Sequence, residues 1–295
     1  MRKTLAIVRA TALEVLSEPL SLLVLLAALT LAVLAPAFHY HQFGEPTRMA
    51  RDAGLSAILT CGSVVAVFGT IRAFRREIES GTLEMALAHP VSRAGFFLAK
   101  AAGCLLAYLV FALVVLLTSL AIVDGAATGG EIATHTGDVA RLWGPSLAAG
   151  VGVMVLPLVV AAALNRFGRF RFVPSFFVLA AVLAAAAAAL AVVRRGGLCL
   201  RLLPVAACVV LLPAVLQSAA AAFAVRFRAN AAAAATGVVA ALLLPAVGNY
   251  YLSDALSKGG AVPWGYAGLA ALALAPAVAL FLLLGIHFIS GRDKP

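Results

Sequence analysis

Three carboxylates, Glu77, Glu79 and Glu84, fall close together in the segment RAFRREIESGTLEMALAHPVSR, residues 72–93, interleaved with Arg72, Arg75, Arg76 and Arg93. Clustered carboxylates can work as general acids and bases, or they can pair with cations on a partner. The setting decides between these roles. The segment is the longest charged stretch in a mostly apolar chain and lies between two long uncharged runs. Each charge would cost several kcal/mol in hydrocarbon, so the segment is a polar excursion at the membrane face. There the glutamates read as ion-pair partners for a basic groove rather than as catalytic acids.

The other candidate chemistries are incomplete. His39 and His41 have no third ligand nearby and read as an interfacial pair, not a metal site. His287, near the inner end of the last apolar run, also reads as interfacial. Cys61, Cys104, Cys199 and Cys208 form no C-x-x-C pair. They point to neither a zinc site nor a disulfide framework, and read as small buried apolar residues. The chain contains no phosphate-binding G-x-x-x-x-G-K-S/T loop, no G-x-S-x-G elbow and no H-E-x-x-H helix. It is therefore not expected to hydrolyse ATP or to hold a cofactor or metal itself. Residues 124–141, DGAATGGEIATHTGDVAR, open on Asp-Gly like the metal-binding motif of CDP-alcohol phosphotransferases, but lack the paired carboxylates. They read as a Gly- and Thr-rich external loop that can face substrate.

The elements that must position the charged segment can be read from its own pattern. Phe74, Ile78 and Met85 recur at helical spacing, with Leu83 and Leu87 nearby and charges between them. Gly81 can supply the left-handed residue that ends a first helix. Thr82 can cap a second helix starting at Leu83. Pro90 stops that helix and pushes His89 into extended backbone. Ser92 is placed to cap the span that follows. The pattern predicts two short amphipathic helices on the membrane face, joined by a glycine, with Phe74, Ile78 and Met85 as an exposed apolar face.

From Glu77 to Arg93 the chain reads E-x-E-S-G-T-L-E-x-x-L-x-x-P-V-S-R. This resembles the first cytoplasmic loop of type-2 ABC (ATP-binding cassette) export permeases. The resemblance implies a coupling helix, following the second span, that docks in a groove of a separate ATPase subunit. It implies coupling roles for Phe74, Glu77, Ile78, Glu79, Gly81, Thr82, Leu83, Glu84, Leu87, Pro90 and Arg93. It also implies a second permease subunit, as homo- or heterodimer, and places ATP and magnesium on the partner subunit. The departure is downstream, where the chain carries two more spans than the family's usual six.

The chain has 295 residues, 64% hydrophobic and 12% charged, about half the charge of a soluble domain. Several uncharged runs exceed the roughly 18–20 residues needed to cross a bilayer. The fold class is all-α, a polytopic transmembrane bundle forming one permease domain over residues 1–295. Residues 1–19 are expected as an uncleaved interfacial elbow helix with Leu5, Val8, Ala12 and Val15 on its apolar face. A signal peptide fits less well, because Glu14 and Glu18 precede the apolar run. Eight spans are expected near 20–38, 53–71, 101–123, 142–165, 173–193, 202–225, 229–247 and 265–289. The fifth and sixth can alternatively be half-inserted.

With both termini inside, cytoplasmic segments hold 15 of the 22 Lys and Arg. That is the bias a bacterial inner membrane protein shows, with Arg194, Arg195 and Arg201 dissenting. The net charge of +10 follows from the same rule and does not indicate nucleic acid; lipid is the expected surrounding. Alanine runs at 184–189, 219–222 and 231–235 allow close helix approach or reflect composition alone.

All twelve acids fall in loops or at span ends. Ion-coupled transporters need charge near the mid-membrane, so the energy source is expected outside the spans. An ABC export permease meets this, moving a hydrophobic or amphipathic substrate. The alternative is a non-catalytic membrane scaffold or assembly factor that uses the same loop to hold a cytosolic partner.

Overall fold

A computed structural model describes residues 2–34, 46–81, 92–136, 139–168, 170–195, 202–247 and 262–291. Within these, side chains are described except at 2–3, 46–50, 124–136, 139–147, 149, 192, 194–195 and 244–247. Nine helices run through the described residues: α1 (Arg2–Leu16), α2 (Pro19–Leu34), α3 (Pro46–Glu79), α4 (Arg93–Thr136), α5 (Val139–Gly168), α6 (Phe172–Arg195), α7 (Leu202–Arg226), α8 (Ala229–Val247) and α9 (Trp264–Ser290). The protein is a polytopic helical membrane protein, as the uncharged runs require.

Each of the eight expected spans is helical over its described residues. Six helices carry apolar stretches long enough to cross: Arg51–Glu79, Arg93–Val123, Gly150–Gly168, Phe172–Ala191, Leu202–Arg226 and Trp264–Ser290. The α1–α2 pair makes a seventh if it counts as one bent span. The apolar part of α8, Ala229–Leu243, is shorter. Among the described residues, six or seven helices thus meet the crossing length by themselves, with α8 a shorter apolar helix beside them. The break between α1 and α2 falls at Ser17 and Glu18, just before Pro19. Proline has no N–H to donate and disfavours helix in the preceding residue, yet suits the first position of the next helix. The fifth and sixth spans, α6 and α7, each reach full crossing length, against the half-inserted alternative.

Two helices outrun their expected ends. α4 continues through residues 124–136, and α5 opens at Val139, so the stretch read as an external loop is helical on most of its length. Extending a formed helix adds one hydrogen bond per residue fixed, while only nucleation is costly. Asp-Gly at 124–125 therefore does not force a turn after a long apolar helix. For the same reason residues 72–79 form no separate surface helix. They are the end of α3, with no proline or glycine between Ile71 and Glu79 to interrupt it.

The chain divides into two compact units, residues 19–61 with 110–206, and residues 1–18 with 62–109 and 207–295. In the first, α2 packs on α5 and α6, and α5 lies along α6. Ala32 and Val33 meet Ile122 and Val123 in a buried cluster. Gly150 leaves room for Val33, since a Cβ there would lie 3.3 Å from its Cγ1. Buried hydroxyls bond back to their own helix, Thr118 Oγ1 to the Val114 carbonyl at 2.8 Å and Ser119 Oγ to that of Val115 at 2.7 Å. No water in lipid could satisfy them, so the local carbonyl does.

In the second unit α7 is the most enclosed helix. Its apolar window is 78% buried, against 6% for α9, so α7 sits at the centre and α9 at the rim. Gln217 Nε2 donates to the Ala101 carbonyl at 3.1 Å, and the Tyr108 hydroxyl donates to that of Val210 at 3.2 Å. These two bonds fix the register of α7 on α4. The alanine run 219–222 is fully buried, so here small residues serve close approach.

Candidate functional site

The last two turns of α3 point each side chain at a different neighbour. Arg72 and Arg76 lie four residues apart and meet Glu18 and Glu14, which are also four apart, giving two antiparallel rungs. Their N–O distances are 3.1 Å for Arg72–Glu18 and 3.6 Å for Arg76–Glu14. The arginines are 59% and 71% exposed, so each rung contributes at most about 1 kcal/mol. α1 is held more firmly by packing. A Cβ on Gly69 would lie 2.8 Å from Val15, and one on Gly103 would lie 2.7 Å from the Val8 carbonyl oxygen. Only glycine lets α1 come this close to α3 and α4.

On another face, Arg75 pairs with Glu79 at 2.7 Å, an i,i+4 pair, and also donates to the Phe227 carbonyl at 3.4 Å. That carbonyl lies at the turn between α7 and α8. On the third face, Phe74 packs on Phe97 of α4 with ring centroids 5.4 Å apart and planes tilted by 50°. Beside them, Lys100 Nζ of α4 pairs with Glu77 Oε1 at 2.5 Å and lies 5.6 Å from the centre of the Phe74 ring. Lys100 is fully buried while Glu77 keeps 28% exposure.

This pair differs in kind from the surface rungs. A buried ammonium has lost its hydration and depends on its partner, so removing one member of such a pair costs several kcal/mol. The sequence places Lys100 at the end of a span but not inside a packed interface. Its signal was faint: one lysine, the only charge in the run from Ala94 to Val123, with an acid available across the loop.

The residues named from the sequence are placed as follows. Gly81 follows α3 with φ +69°, the left-handed backbone expected of it. Ser92 caps α4, its Oγ accepting from the Gly95 N–H at 3.1 Å, also as expected. Glu79 is exposed, Ile78 is half-buried and Arg93 opens α4. Phe74 is only 3% exposed and so does not belong to the exposed apolar face expected for it. Because α3 runs on unbroken, position 74 falls on the same inward face as the buried Thr70, Ile71 and Ala73. Glu77 is turned to Lys100 rather than outward. Thr82, Leu83, Glu84, Met85, Leu87 and Pro90 lie outside the described residues, as do His39 and His41.

Nothing lies within 4 Å of a Cβ built on Gly81, so substitution there carries a backbone cost alone. Gly81→Val is expected to cost about 1–3 kcal/mol locally, and Gly81→Asn less, since asparagine tolerates this region. Amide exchange at Arg76–Ser80 should rise in the valine variant, while the unfolding temperature of the whole protein should barely move. Unchanged exchange would mean that Gly81 does not set the end of α3.

Among the described residues no group of three or more His, Cys, Asp or Glu could hold a metal ion. The end of α3 instead contacts α1, α4 and the turn between α7 and α8. Residues 17–187 match the family model described as ABC-2 family transporter protein. The matched range covers more than half of the chain and runs from the break before α2 into α6. No curated protein and no solved structure matches the chain.

Proposed function

We propose, since the chain belongs to the ABC-2 transporter family, that it is the permease subunit of an ABC exporter and that residues 72–93 couple it to a separate ATPase subunit. ATP and magnesium would be held by that subunit. Two permease subunits would enclose the pathway in the cell membrane, with all termini in the cytoplasm. A hydrophobic or amphipathic substrate suits the apolar and small side chains of the spans.

The observation that carries this reading is continuity. The segment is reached without a break from α3, and the buried Lys100–Glu77 pair joins α3 to α4 at the segment's base. A push on the segment would move both helices together rather than bend a hinge. Gly81 then separates this rigid base from the stretch that would engage the ATPase subunit.

The test is recruitment. Glu84→Ala with Leu87→Ala should reduce co-purification of the ATPase subunit at least tenfold while membrane insertion stays normal. Undiminished recruitment would remove residues 72–93 as the docking site. If recruitment fell but ATP hydrolysis drove no transport in proteoliposomes, the chain would be a scaffold for the ATPase.

A further inference from the structure

Residues 139–253 contain nine arginines, no lysine and no Asp or Glu. Five of the nine lie at or beside two tight turns. Across the end of α5 and the start of α6 the chain reads Asn-Arg-Phe-Gly-Arg-Phe-Arg-Phe, residues 165–172, and from the last residue of α7 toward α8 it reads Arg-Phe-Arg, residues 226–228. The triplet Arg-Phe-Arg thus occurs twice, at 169–171 and 226–228. Each time it falls, in sequence, where one apolar helix gives way to the next.

Among the described residues, Arg166, Arg171, Arg226 and Arg228 are exposed and their guanidinium groups have no ion-pair partner. The contrast with α3 is direct, because Arg72, Arg75 and Arg76 each face a glutamate. The aromatic rings between the unpaired arginines are also uncovered. Phe167 is 88% exposed, Phe170 60% and Phe227 41%.

We infer that these two turns bind anionic phospholipid, with the arginines on headgroup phosphates and the phenylalanines in the outer acyl region. Three observations select lipid over a protein partner. The apolar stretch of α5 ends at Gly168 and that of α6 begins at Phe172, which leaves the turn too short to project far beyond the headgroups. The same triplet serves two separate turns, and every turn of a membrane protein meets lipid, whereas a protein groove would have to match each one. Finally, apolar Phe rings uncovered beside unpaired cations suit a boundary with acyl chains on one side and anionic headgroups on the other.

The experiment uses the full-length protein in nanodiscs of phosphatidylcholine and phosphatidylglycerol at 3:1, extracted in mild detergent, with retained lipid counted by mass spectrometry. Wild-type protein should retain phosphatidylglycerol above its share in the bilayer. Each unpaired arginine should contribute about fivefold to that preference. Arg166→Gln with Arg171→Gln, or Arg226→Gln with Arg228→Gln, should each lower the enrichment, and lysine at the same positions should restore most of it. Arg72→Gln, at a paired arginine, should leave it unchanged. Full enrichment in the fourfold glutamine variant would overturn the inference. So would an unchanged lipid profile accompanied by loss of a co-purifying protein, which would assign these turns to that partner.

Discussion

Glu77→Ala is expected to destabilise the protein by about 3–5 kcal/mol, more than Lys100→Met at the other end of the same ion pair. The asymmetry follows from exposure. Lys100 has no access to solvent, whereas the Glu77 side chain keeps 28%. Removing the carboxylate strands a buried ammonium that keeps the Phe74 ring at 5.6 Å. A cation–π contact is worth about 2 kcal/mol when desolvated and cannot replace a salt bridge. Removing the lysine instead leaves a carboxylate that can turn toward water, and methionine fills much of the vacated volume. Glu77→Leu with Lys100→Met should recover most of the loss, because a buried pair replaced by apolar side chains is often neutral in stability. Thermal unfolding of the variants in one detergent decides this. Equal losses in Glu77→Ala and Lys100→Met would show that Lys100 is solvated in the protein.

The same variants separate stability from coupling. The protein carrying both Glu77→Leu and Lys100→Met should fold, but it joins α3 to α4 by packing alone, without a directional bond. On the proposed permease function, transport driven by the partner's ATP hydrolysis should then fall further than stability does. A double variant with wild-type transport would mean that Phe74–Phe97 packing is sufficient to carry the movement.

What the sequence reveals about this site is its local chemistry. Gly81 could be read as left-handed and Ser92 as a cap because each depends on its immediate neighbours in the chain. The apolar helices were legible for the same reason, since an uncharged run has few other structures open to it in lipid. The burial of Phe74 and Lys100 was not legible. Helical spacing shows that Phe74 and Ile78 share a face, but not whether that face meets solvent or α4. The answer turned on α3 continuing past the membrane boundary, and charged residues at 72, 75, 76, 77 and 79 masked that continuity. Charge marks the boundary of hydrocarbon without marking the end of a helix. The run at 124–136 misled in the same way: glycine and threonine lower helix propensity by up to about 1 kcal/mol each, which does not suffice to stop a helix already formed. Glycines that admit a neighbour, such as Gly69 and Gly103, were silent too, because the need for a missing Cβ arises on the opposing helix.

Gly285 is more tightly faced than Gly69 or Gly103, and Gly285→Leu is expected to cost more than about 3 kcal/mol, beyond the usual range of roughly 1–3 kcal/mol for an overpacked site. A Cβ on Gly285 of α9 would lie 2.7 and 2.8 Å from Cε2 and Cε1 of Phe97, and nearer still to Cζ. The ring cannot retreat easily. Phe97 is fully buried and packs on Phe74 at 5.4 Å, and Phe74 in turn lies beside Lys100. Even Gly285→Ala should therefore disturb the packing at the end of α3, although the apolar window of α9 is only 6% buried. Gly268 on the same helix is the control, since nothing lies within 4 Å of a Cβ there. Gly268→Ala should be neutral or stabilising by up to about 1 kcal/mol from helix propensity. Phe97→Leu removes the ring and should make Gly285→Ala much less costly, so that the pair of changes is less than additive. Unfolding temperatures of the three single variants and the double variant test the contact. Strict additivity would show that Gly285 and Phe97 do not touch in the folded protein. A coupling above about 1 kcal/mol would establish that the rim helix α9 bears on the same ring that seats the Lys100–Glu77 pair.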